Sequence, residues 1–388
     1  MRMKPWGMGS LLLCAGILAG CADTAHLGVY GAATAPVAEP AIGSRLSELQ
    51  RQEIGMRLYE LAFSPRHQAV FVVSAGGEDA VHDPSQVLRL DPKDLSVQAR
   101  IPLARRGFGV ALDDADNRLY VGNALDASVT VVDLGTDEVI GVVQLADPVR
   151  QDGDKPIYPH LLRTLAVDAK RHRLYAPGLS AQGSVLYVID TRTLALERVV
   201  PGLGAGAAGI VLDEVGGMLY VSNLQGQVFA LNAQTLAIEM QWEVRADQLL
   251  NLDLDRSRQR LIATDLGSPR LDEARRQKAG LVDYEKRGEG HRVVVFDTAD
   301  GHTVASIPTG QSPIAPLVDE RRGRVYVTNR DAGTLTILDA NDYTVIRDVA
   351  LPSHPNSLTL DPDTGTVFVS IKEPSRQARE SVARIPYE

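Results

Sequence analysis

Cysteine is almost missing from this chain: Cys14 and Cys21 are the only two in 388 residues, and both lie near the start. No disulfide framework and no thiol chemistry can therefore be built into the body of the protein. Aromatic residues are only 5% of the total, and Trp242 is the one tryptophan beyond the first ten positions. Past the N-terminal leader, no segment carries a long helical period. GxSxG, P-loop, HExxH, CxxC and EF-hand patterns are also absent, so no familiar nucleophile, phosphate cradle or metal site is written in the sequence.

What is present instead is a repeat. Arg324-Val325-Tyr326-Val327-Thr328-Asn329 is followed by Thr334-Leu335-Thr336-Ile337-Leu338-Asp339. Similar pairs of alternating runs recur along the chain, each pair introduced by an Asp and a short polar turn. Asp113, Asp168, Asp213, Asp255, Asp319 and Asp361 hold the introducing position, and Ser64 holds it in the first copy, giving seven copies. Period-two alternation with β-branched residues, punctuated by Gly, Asp and Asn, is the signature of strands. The closest anchors, Asp213 and Asp255 or Asp319 and Asp361, are 42 residues apart, enough for four strands. Such a unit cannot bury both faces alone and must stack on its own copies. The expectation is an all-β, seven-bladed β-propeller of four-stranded antiparallel blades over 44–388. Without a Trp-Asp signature it is not of the WD type, and its blade interfaces must be built from Val, Leu, Ile and Tyr.

After Ser381-Val382-Ala383-Arg384-Ile385 the seventh copy lacks a fourth strand, whereas Ser44–Glu53 precedes the first copy and belongs to none. The N-terminal segment is expected to complete the last blade, because closure removes exposed sheet edges. Two insertions interrupt the repeat, Ala146–Leu162 between copies two and three and Asp265–His291 inside copy five. In an antiparallel blade both loop classes emerge on one side of the disc, and elaborated loops are where function concentrates. The second insertion has balanced charge and few apolar residues. It reads as a solvated loop with a short helix around Leu271–Lys278.

The first twenty residues read as a targeting segment, with basic Arg2 and Lys4, an apolar Leu11–Leu18 and then Leu18-Ala19-Gly20-Cys21, a bacterial lipobox. Cys21 is the expected lipid attachment, Cys14 leaves with the signal, and the Ala/Pro/Gly-rich 21–43 segment is a flexible tether. Ala22 is not the Asp associated with inner-membrane retention, so the expected location is the periplasm, anchored to the outer membrane. Losing Arg2 and Lys4 leaves 38 basic against 49 acidic residues, a net charge of about −11 that opposes non-specific polyanion binding.

Candidate ligand-binding residues fall where inner strands begin and second strands end on the inserted side: Tyr59, Phe108, Arg163, Asn251, Arg330, His354, Asn356 and Lys372. Cations there point to an anionic or polyhydroxylated ligand, since turn chemistry asks for Asn and Asp but not for Arg, His or Lys. Asn123, Asn223 and Asp265 occupy similar strand ends and have an ordinary turn role as the alternative. No second His stands at ligand spacing from His354, and His160 in the first insertion is only a weak partner for it.

Tyr326-Val327-Thr328-Asn329, together with Pro352-Ser353-His354-Pro355-Asn356-Ser357-Leu358, Val369-Ser370-Ile371-Lys372, Arg163, Gly55 and Tyr59-Glu60, resembles the YncE-like YVTN-repeat β-propeller family from about Ser44 to Lys372. The resemblance implies a propeller of the bacterial envelope without an established catalytic activity, and a link to single-stranded DNA binding. The lipobox and the longer insertion in copy five depart from that family.

The leading expectation is a noncatalytic, monomeric binding module without cofactor or metal. It takes an envelope protein, a glycan or a small anionic ligand on the inserted face, with the membrane reached through the lipid. One alternative is a lactonase- or lyase-like enzyme built on His354, Arg163 and Glu60. Another is nucleic-acid binding, with Tyr59 and Phe108 stacking on bases and Arg163, Arg330 and Lys372 on phosphates.

Overall fold

A computed structural model describes residues 49–387, apart from 153–154, 279–284, 353 and 376. Cys21, the tether and 44–48 lie outside the described residues. The chain forms a seven-bladed β-propeller of four-stranded antiparallel blades. Blade one is Leu58–Ser64, Ala69–Ser74, Gln86–Leu90 and Val97–Pro102, from the inner strand outward. The later blades repeat this order. In blade seven the outer strand is Gln50–Gly55, paired with Glu380–Ile385.

The recurring Asp residues have a physical task. Each accepts a backbone N–H across the turn from first to second strand: Asp113 from Asp116 at 3.0 Å, Asp168 from Arg171 at 2.9 Å, Asp213 from Gly216 at 2.9 Å and Asp255 from Arg258 at 3.0 Å. Ser64 substitutes with its hydroxyl oxygen, accepting from His67 at 3.0 Å. A second series (Asp91, Asp133, Asp190, Asn232, Asp297, Asp339) does the same between third and fourth strands. These are Asx turns, local enough to be read from sequence.

Apolar clusters fill the spaces between neighbouring blades. Phe71, Val73, Leu119 and Val121 join blades one and two, Tyr175, Val188, Val221 and Phe229 join three and four, and Val293, Val295, Val325 and Val327 join five and six. Phe368 and Val382 of blade seven meet Val70, Val72 and Leu88 of blade one. Trp242 is buried against Tyr220, with ring centroids 6.0 Å apart. Branched aliphatics and Tyr supply the interfaces, as the scarcity of Trp requires.

Every inner strand carries an irregularity at one place. The register shifts between Leu58 and Leu61, Gly107 and Val110, Ala207 and Gly209, Leu249 and Leu252, Pro313 and Pro316, and Pro355 and Leu358. In blade three the strand breaks altogether, into Leu161–Leu162 and Ala166–Asp168. A bulge bends a strand and re-aims its side chains. Six bulges and the break in blade three, all at one level, form a ring near the inserted face.

The first insertion forms an exposed hairpin, Arg150–Asp152 with Lys155–Ile157. The second contains helix α1 (Pro269–Lys278). The expectation of a solvated loop is corrected here. Leu271 and Arg275 of α1 are buried, and Leu271 shares an apolar cluster with Ala208, Leu250 and Ile314. Arg275 makes two bonds to Asp247 and a third, at 2.5 Å, to the Leu224 carbonyl. Composition misled because one buried Leu and one buried Arg decide the docking of the whole arm.

Candidate functional site

The bulge registers align Tyr59, Phe108, Arg163, Ala208, Leu250, Ile314 and Asn356 as equivalent first-bulge positions of blades one to seven. The ring is asymmetric. Blades four to six present aliphatic residues, and these belong to the cluster containing Leu271 of α1. Blades seven, one, two and three present Asn356, Tyr59, Phe108 and Arg163.

That second half is a stack of aromatic and cationic groups. The rings of Tyr59 and Phe108 lie 4.0 Å apart at 28°. Lys372 Nζ lies 3.9 Å from the Tyr59 centroid, and the Arg163 guanidinium lies over Phe108 at 5.3 Å. An ammonium and a ring each 4 Å from the Tyr59 centroid cannot share one face, so both faces of Tyr59 are occupied. Phe108 is 2% exposed. Stacking of nucleic-acid bases on these two rings therefore has no free surface in this conformation.

Lys372 is buried and donates to the Leu58 carbonyl at 2.9 Å and to Glu380 at 3.3 Å. The same Glu380 oxygen accepts from the Leu58 N–H at 2.5 Å. Lys372 thus bolts blade seven to blade one, a role its motif did not disclose. Arg163 is also buried and donates to Asn251 Oδ1 of blade five at 3.2 Å. Asn251 holds the second bulge position of its strand. Asn356 is 2% exposed, and no protein donor reaches its Oδ1.

Glu60, beside Tyr59, occupies the second bulge position of blade one, and its Oε2 accepts the Val110 N–H of blade two at 3.0 Å. Protein packed around the part-exposed side chain desolvates the carboxyl and pushes its pKa up to about 7, against the opposing pull of Arg163. Asp253 on the inner strand of blade five is similarly raised, to about 6, by burial, although it accepts the N–H groups of Val318 and Leu254. Sequence reasoning missed Asp253. Its signal is the alternation Leu252-Asp253-Leu254, in which both leucines are buried.

Glycines at second bulge positions let the blades close. A Cβ on Gly109 would stand 2.0 Å from the Arg163 carbonyl oxygen, and one on Gly209 would stand 2.9 Å from that of Leu250. At the same level Thr164 Oγ1 donates to the Ala208 carbonyl, Thr264 to Ile314 and Thr328 to Asn356.

Arg330 and His354 sit at the seam of blades six and seven. The Arg330 N–H bonds the Ser312 carbonyl at 2.9 Å, and His354 Nε2 lies 4.0 Å from Asp331. Burial, then the Arg330 charge, lower the His354 pKa. His160 bonds the Tyr187 hydroxyl within blade three, so the two histidines belong to different blades. Asn123 and Asn223 have turn roles: Asn123 donates to Ser128 and Thr130, and Asn223 accepts from Gln225 and Gln227. Asp265 accepts the Gly290 N–H at the base of the insertion, and burial raises its pKa to about 6. Among the described residues, the one grouping with metal-ligand proximity is Asp297, Asp300 and His302. It lies in the outer turn of blade five, away from the ring.

No protein-family model matches the chain. The uncharacterized proteins YncE of Salmonella typhi and of Escherichia coli strain K12 are respectively 27% and 28% identical to it over 338 residues, or 86% of this chain and 88% of theirs. Hydrazine synthase of Kuenenia stuttgartiensis has a similar solved structure, with a TM-score of 0.65 at 15% identity. That match covers 89% of this chain and 99% of the other, and it is a likeness of fold alone.

Proposed function

We propose that this chain, a homologue of the YncE propellers, is a noncatalytic binding module of the bacterial envelope. Cys21 carries its lipid, the outer membrane holds it on the periplasmic side, and the ligand binds at the ring on the inserted face. The observation that carries this reading is Asn356. A buried acceptor with no donor costs about 1–3 kcal/mol, and buried polar groups in folded proteins are nearly always paired. A ligand hydroxyl or amide N–H, admitted by a shift of the side chains that cover Asn356, would satisfy it, while Arg163 across the ring suits a negative group. The ligand class is therefore a small polar molecule with hydrogen-bond donors and an acidic group.

Native mass spectrometry after incubation with envelope extract tests this. A small molecule retained by the wild type and lost in Asn356→Leu supports the ring as the site. The same molecule held equally by both proteins would move the site elsewhere.

One observation favours a second reading. A carboxyl poised near neutral pH beside an Arg, as Glu60 is, suits general acid–base catalysis. Turnover of a lactone panel that disappears in Glu60→Gln, with the fold intact, would replace the binding reading with an enzyme.

A further inference from the structure

The first and second bulge positions of the seven blades hold two charged residues, Glu60 and Arg163, and their charges are opposite. Nearby Lys372 already has a counter-charge in Glu380 at 3.3 Å. Glu60 and Arg163 come together over Gly109 of blade two. A Cβ there would stand 3.1 Å from Glu60 Oε2 and 2.0 Å from the Arg163 carbonyl oxygen. Phe108 and Val110, on either side of Gly109, bring no charge, and Arg57, just before the blade-one strand, turns to Glu78 at 3.5 Å. Arg163 is therefore the charged group that acts on Glu60. The guanidinium itself is buried, whereas its two partners, Glu60 and Asn251, are part-exposed. An anion that reaches Arg163 from solvent must come in beside one of them.

The charges balance while Glu60 is ionised. A ligand anion would then place two negative groups on one guanidinium, and like charges held close in a poorly hydrated site oppose each other's ionisation. A proton on Glu60 restores the balance. Burial already lifts the Glu60 pKa to about 7, so that proton is readily taken up near neutral pH. The Val110 N–H keeps its acceptor, because a carboxylic acid retains a carbonyl oxygen.

We propose that the ring binds a polyhydroxylated carboxylic acid together with one proton from solvent: the ligand carboxylate pairs with Arg163, Glu60 becomes the neutral acid, and a ligand hydroxyl donates to Asn356. This rests on the ring as the binding site proposed above, and adds the ligand class and the proton. By linkage, affinity rises as pH falls through the Glu60 pKa and levels off below it.

Gluconate is a suitable probe, being ionised from pH 6 to pH 8 and rich in hydroxyls, with sorbitol as its uncharged counterpart. Isothermal titration calorimetry on the purified full chain is expected to show gluconate bound about ten-fold more tightly at pH 6 than at pH 8, and sorbitol not bound. Titrations at pH 7 in two cationic buffers of different ionisation heat should reveal net proton uptake, a readout that needs no variant. Glu60→Gln should hold gluconate equally at both pH values. Wild-type affinity that ignores pH, no proton uptake, or a pH dependence that persists in Glu60→Gln overturns the proton's part. Gluconate bound no better than sorbitol overturns the ligand class. Asn356→Leu separates these failures from that of the ring: gluconate held equally by wild type and Asn356→Leu puts the site elsewhere and overturns both readings. Affinity lost in Asn356→Leu but flat with pH in the wild type leaves the ring standing and removes the proton alone.

Discussion

Arg275 of helix α1 grips Asp247 of the loop between blades four and five with two parallel bonds, 2.8 and 3.0 Å long, both side chains being buried. The same guanidinium reaches Asp272, which also accepts from Gln248 at 2.7 Å. The arm that overlies the aliphatic half of the ring is thus held by charge as much as by Leu271. Removing one partner of a buried pair leaves the other charge uncompensated.

Arg275→Ala is accordingly expected to destabilise the fold by about 3 kcal/mol. Urea denaturation would measure the loss, and limited proteolysis should show faster cleavage within 269–288. Unchanged stability and cleavage would mean that the pair does not hold the arm.

Glu60 predicts a pH dependence whose sign follows from its raised pKa of about 7. Between the ordinary carboxyl value near 4.5 and about 7, the folded state binds more protons than the unfolded state. Stability is therefore lost as pH rises through that window and is flat above it. Glu60→Gln keeps an acceptor for Val110 and removes the titration. The variant should gain stability relative to wild type between pH 5 and pH 8, as measured by unfolding at both values.

Gly109→Ala should cost on the order of 1–3 kcal/mol, because the added carbon meets the Arg163 backbone rather than a flexible side-chain tip. A lowered denaturation midpoint with an unchanged slope would register it. The Arg163–Asn251 bond across the ring should be displaced as well, which a crystal structure of the variant would show.

Gln259 is exposed and sits in the left-handed region with φ 54°, at a turn position that Gly217, Gly323 and Gly365 hold in other blades. Gln259→Gly is expected to stabilise by up to about 1 kcal/mol by relieving the backbone penalty. Gly217→Ala should lose a similar amount. Paired melting curves of the two variants check both signs.

The scaffold was legible because its rules act within one repeat. Alternation, branched residues and an Asp that bonds the N–H of its own turn sit within about forty residues, and they sufficed for seven blades and the positions of both insertions. The polar candidates were legible as positions but not as roles. Tyr59, Phe108, Arg163 and Asn356 do fall on one ring, because they stand at the same place in successive repeats. Sequence could not show that Lys372 and Glu380 bolt blade seven to blade one across 314 residues, or that both faces of Tyr59 are covered.

The sequence by itself thus determined the repeat, the all-β class and the punctuation, since each depends on near neighbours. Tertiary structure alone decided the burial of Arg275, the desolvation of Glu60 and the division of the ring into an aliphatic half and a polar one. Those properties depend on which residues of different repeats pack together, and therefore on contacts that no local pattern encodes.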